Sequence, residues 1–211
     1  MRIITLLFLF IFPISSFAAV DCKSLTEKDA LTPPFRPSAE ELGNRLAKLN
    51  ADLEAHFPKY LEDNYANCTM KRSELRILLL DTKNDRKTRD AVLKSIVTKE
   101  KFPTLISALA DAKVLVHGLE KKIWKGPAGS LEKAQALLQT IKADLAEENR
   151  VYGEPWNRMT EELKKRTDMA AQSKFLRESP DFKKLRAHLL TEPADSSKLL
   201  AEIQSVAKTL K

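Results

Sequence analysis

Between Thr104 and Tyr152 the apolar residues keep a strict helical register. Leu105, Leu109, Ala112, Val116, Leu119 and Ile123 step by four and three. After Lys125-Gly126-Pro127-Ala128-Gly129-Ser130, the series Leu131, Ala134, Leu138, Ile141, Leu145, Glu148 and Tyr152 steps by three and four. Such spacing is the a/d seam of two helices that press together, and a connection this short forces them antiparallel. A chain built around this hairpin is all-α. The rest of the sequence predicts an irregular multi-helix bundle of antiparallel hairpins, with a coiled-coil-like seam over 104–152 and no convincing strand.

The start of the chain points to export. Arg2, the apolar run Ile3 to Ile14, and the small residues Ser16 and Ala18 have the order of a secretory signal. The run is too short for a helix of about 20 residues across a bilayer. Residues 1–18 are therefore expected to be removed, leaving a periplasmic or secreted protein. An oxidising compartment gives the two cysteines, Cys22 and Cys68, a meaning. With no other cysteine to choose from, they are expected to pair, and closing that loop restricts the unfolded chain by about 4 kcal/mol.

Residues 19–37 are polar and broken by Pro33, Pro34 and Pro37, and read as an extended arm. A single helical domain should follow over 38–211, with sub-units 38–101, 102–152 and 153–211. Ser38 and Glu41 form a capping box for a first helix with Leu42, Leu46, Leu49 and Leu53 on one side. In Lys71 to Lys83, Leu75, Ile77, Leu78, Leu79 and Leu80 point all round, as in a centrally buried helix. Gly153-Glu154-Pro155 reads as a turn before a helix bearing Trp156, Met159 and Leu163. The last helix shows Leu199, Ile203, Val206 and Leu210 at helical spacing.

Charge is the main functional clue. The chain holds 36 basic and 29 acidic residues, unevenly spread. Residues 38–68 contain 3 basic and 6 acidic side chains, whereas residues 69–101 contain 10 basic and 5 acidic. Arg72, Arg76 and Lys83 share one side of their helix, and Lys87, Lys94 and Lys101 recur every seven residues on the next. A basic surface at 69–101 would take an acidic protein surface or another anionic macromolecule, or touch an anionic membrane peripherally. Export, and basic residues without interleaved stacking aromatics, argue against nucleic acid. Trp124, beside the hairpin turn, is a candidate exposed anchor, or else an aromatic plug closing one end of the bundle.

Catalytic patterns are missing from the sequence. His56, His117 and His188 stand alone, with neither HExxH nor a second histidine at helical spacing. There is no CxxC, no GxSxG and no glycine-rich loop ending in GKS or GKT. Adjacent carboxylates such as Glu147-Glu148 diverge by about 100° on a helix and make no acid/base pair by themselves. The sequence thus motivates a non-enzymatic, adaptor- or chaperone-like binder without cofactor. A bundle enclosing a small apolar ligand or metal is the alternative, and a cell-wall hydrolase a third reading.

Overall fold

The computed structural model of the chain describes residues 22–32, 67–98, 104–184 and 194–211. Within them every regular element is a helix. The expected signal at 1–18, the capping box at Ser38, the first leucine stripe, His56, Lys101 and His188 lie outside the described residues.

A 3-10 turn at Cys22–Ser24 leads into α1, Glu27–Leu31. The arm expected to be extended is thus helical here. Thr26 explains it: its hydroxyl accepts the Asp29 N–H while the Asp29 carboxylate accepts the Thr26 N–H at 2.8 Å, a complete capping box. Next come α2, Asn67–Thr82, and α3, Arg86–Val97, the latter capped by Asp85, which accepts the Thr88 N–H at 2.9 Å. The long hairpin is α4, Leu105–Glu120, and α5, Ser130–Glu148. Then come α6, Glu154–Lys164, α7, Met169–Glu178, a further helical stretch from residue 180, and α8, Ala194–Lys208.

The central helix is α4, not α2. It is buried on nearly every side, through Leu105, Ala108, Ala112, Val114, Leu115, Val116 and Leu119, and packs against α2, α5 and α8. The seam of the hairpin is inside as its spacing predicts, with Ala134 and Ile141 fully buried and Leu131, Leu138 and Leu145 packed against the same core. Leu80, Val92, Ile96, Ile203 and Val206 complete that core from α2, α3 and α8.

The hairpin connection starts earlier than its composition suggests. Lys122 takes a left-handed conformation, φ 55°, and ends α4 at Glu120. The Lys122 N–H donates to the Leu119 carbonyl and the Ile123 N–H to the Gly118 carbonyl, the two bonds of a Schellman motif, here with lysine where glycine is usual. Trp124 therefore lies in the connection, not on the helix.

The Gly153-Glu154-Pro155 turn does not form. Backbone from Glu148 to Glu154 stays helical, and Asn149–Gly153 widens into a π-turn in which the Glu154 N–H donates to the Asn149 carbonyl. A proline has no N–H to give and its ring crowds the preceding turn, and the widened turn ahead of Pro155 accommodates both. Hence α5 runs on into α6. Beyond the π-turn a second, smaller core forms from Met159, Leu163, Leu176 and Phe182, with the Arg166 guanidinium 4.1 Å over the Phe175 ring.

Candidate basic interface

The candidate site residues divide into an inward and an outward set. Arg72 and Arg76 face inward, only 8% and 2% exposed. The Arg76 guanidinium donates to the Asp111 carboxylate of α4 at 2.7 Å and, through Nε, to the Ala30 carbonyl at 2.7 Å. Nη2 reaches the Thr32 carbonyl at 3.4 Å. A charge this deep is tolerated only when paired and hydrogen-bonded, and Arg76 has both forms of support. It clamps the N-terminal segment onto α2 and α4. The expected outward face of α2 is thus corrected: Cys68, Thr69, Arg72, Ser73 and Arg76 point in with Leu79 and Leu80, while Leu78 is 54% exposed.

The signal for this arrangement was Asp111. Asp111 is the one acid between Leu105 and Val116, a run otherwise apolar but for Ser107 and Lys113; on the buried side of α4 it has to find a cation, and the buried clamp supplies it. Lys83 is also occupied, paired with Glu27 of α1. Cys22 and Cys68 form the expected disulfide, with a Cα–Cα separation of 5.1 Å. Together these links hold the segment at 22–32 across one side of α2.

Trp124 is 2% exposed, so the plug describes it and the exposed anchor does not. Its ring lies where a side chain at residue 118 would be: a Cβ on Gly118 would come within 2.1 Å of the indole. Gly118 thus costs α4 some helix propensity and makes room for the ring that seals this end.

Part of the outward set is at the same end. Lys87 and Lys94 on α3 are exposed as expected. Arg89 Nη1 meets the Ile123 carbonyl at 3.4 Å, which brings the first turn of α3 beside the hairpin connection. Lys125 and Lys211 exchange backbone hydrogen bonds of 3.0 and 2.9 Å, which bring the end of the last helical segment there too. Three segments converge: 85–90, 120–125 and 208–211. They carry eight basic side chains and three acidic ones. Lys87, Lys121, Lys122, Lys125, Lys208 and Lys211 are all exposed, and none makes an ion pair with a described residue.

The acids here are engaged. Asp85 caps α3, and the hydrogen bonds it accepts from Thr88 hold its carboxyl below the usual range. Glu120 accepts from Gln135 Nε2 at 3.0 Å. Asp90 lies 3.8 Å from both Arg86 and Arg89.

Of the exposed lysines expected at 69–101, Lys87 lies on one of the three converging segments. The hairpin lysines and those of α8 were missed because sequence distance hides that the segments 85–90, 120–125 and 208–211 adjoin. The triplet Lys121-Lys122 and Lys125 was the available sign.

Among the described residues, no group of three or more His, Cys, Asp or Glu side chains is placed to hold a metal ion. His117 Nε2 instead sits 2.7 Å from the Asp81 carboxylate. No described helix is long and apolar enough to cross a membrane. No protein-family model, no curated protein and no solved structure matches the chain.

Proposed function

We propose that the chain is an exported, non-enzymatic helical protein, periplasmic or secreted, that binds an anionic macromolecule through the lysine-rich end of its bundle. The observation that carries the reading is the convergence of 85–90, 120–125 and 208–211, with six exposed lysines that have no acidic partner among the described residues. Like charges gathered on one end repel one another, and an anion relieves that repulsion. The surface is thereby moved from the outer faces of α2 and α3 to the tip of the α4–α5 hairpin. Of the residues first considered, Lys87 belongs to it, while Arg72, Arg76 and Trp124 hold its scaffold. The Cys22–Cys68 bond supports export, because oxidising compartments preserve such pairs.

In-cell crosslinking with mass spectrometry tests the reading. Replacing Lys121, Lys125 and Lys208 with glutamine should remove the crosslinked partner while circular dichroism stays native. An unchanged set of partners in that folded variant would overturn it.

A further inference from the structure

Resting on that reading, we infer that the anionic partner is the headgroup surface of a lipid bilayer, met by the hairpin tip without insertion. Three features of the tip separate this occupant from an acidic protein. First, the six exposed cations of these segments that make no ion pair with a described residue are all lysines: Lys87, Lys121, Lys122, Lys125, Lys208 and Lys211. Arginine's planar fork suits a fixed carboxylate or phosphate held bidentately, whereas an ammonium on a flexible stem is a point charge that suits a mobile, diffuse field of anions such as lipid headgroups. Second, the apolar side chains that a specific protein interface would place at its centre are withdrawn. Ile123, Trp124 and Leu210 lie among the lysines in sequence but are 8%, 2% and 9% exposed. Protein interfaces take most of their energy from a desolvated aromatic or aliphatic centre, and lysine is depleted there. Third, the lysines surround a hairpin tip whose crown, Gly126 to Gly129, is exposed, small and uncharged. Such a crown puts no bulky or charged side chain between a flat surface and the lysines of the connection. Clusters of four to eight basic residues are what anionic leaflets attract, at about fivefold in partitioning per lysine near the surface.

The same features fix how the tip binds. With Trp124 sealed under Gly118, no described aromatic at this end enters the acyl region. Attachment is electrostatic and therefore reversible by salt.

Sedimentation with vesicles tests the inference. At low salt the protein should pellet with vesicles containing phosphatidylglycerol and stay in solution with phosphatidylcholine alone. At about 1 M salt, where screening acts within ~3 Å, it should be released. The combined variant Lys121→Gln, Lys125→Gln, Lys208→Gln should lower partitioning on the order of 100-fold. The variant Lys142→Gln, Lys174→Gln, Lys184→Gln, exposed cations away from the tip, should bind as the parent does. Equal binding to both vesicle types, or full binding by the tip variant, would overturn the bilayer as partner.

Polyglutamate and duplex DNA are titrated in parallel. If either binds through the tip lysines while vesicles do not, the bilayer is excluded and an anionic macromolecule remains the partner. Binding to none of the three overturns both readings.

Discussion

At the scale of single residues, the fold depends on a few side chains in costly positions. Arg76 and Asp111 are each nearly inaccessible, and removing either one takes from the other buried charge its ion-pair partner at 2.7 Å. Asp111→Ala should cost about 3–5 kcal/mol in urea denaturation, while the double variant Arg76→Met, Asp111→Leu should recover part of that loss. Recovery would be incomplete, because the Ala30 and Thr32 carbonyls also lose their donor. Gly118→Ala should destabilise by roughly 1–3 kcal/mol, since its Cβ overlaps the Trp124 ring, and should change the near-ultraviolet dichroism of that indole. Lys122→Gly should act in the opposite sense, adding about 1 kcal/mol by removing left-handed strain from a side chain that pairs with no described acid. Of these positions only Asp111 announces itself in the sequence, as the one acid between Leu105 and Val116. Lysine at 122 conceals a helix end that glycine would have marked, and Gly118 looks like a weakness in α4 until Trp124 is seen over it.

At the scale of elements, what was legible follows from periodicity. The hairpin seam at 105–119 and 131–145 could be read because both arms repeat the pattern and only one arrangement buries both stripes. In α2 the pattern failed, because Leu75, Ile77, Leu78, Leu79 and Leu80 leave no single apolar face, and the polar side entered the core around Asp111. Gly153-Glu154-Pro155 also misled. Those residues often break a helix, and here a π-turn absorbed them.

Caps give the elements a pH dependence. Asp29 is held below its ordinary value of 3.8 chiefly by side-chain and backbone hydrogen bonds with Thr26, and Asp85 by those with Thr88. A carboxyl lowered on folding stabilises the fold above its unfolded value, and that stability is lost as pH falls through the folded value. Urea midpoints should therefore be insensitive to these two groups from neutral pH down to about 5, and decline below about 4. The variant Asp29→Asn, Asp85→Asn should flatten that decline.

At the scale of the whole molecule, two cores share one long helical run. The larger gathers α2, α3, α4, α5 and α8, and the smaller lies beyond the π-turn in α6, α7 and the helical stretch from 180. Leu176 is fully buried in the smaller one. Leu176→Ala should raise amide exchange across α6 and α7 while α4 stays protected, because opening is local where cores are separate. The lysine-rich tip belongs to the larger core, at the opposite end of α5 from the π-turn. Its composition could be read, but its assembly could not, since only the tertiary fold brings the segments 85–90, 120–125 and 208–211 together.

The covalent link between Cys22 and Cys68 has one more consequence, a matter of topology. Any cut of the backbone between residues 33 and 66 divides the chain into two pieces that remain one molecule. Such a nicked protein should run as a single band until reductant is added, and as two afterwards. With the Arg76 clamp still holding Ala30 and Thr32, the pieces should also keep their register, so the bundle would carry the nick as a silent scar.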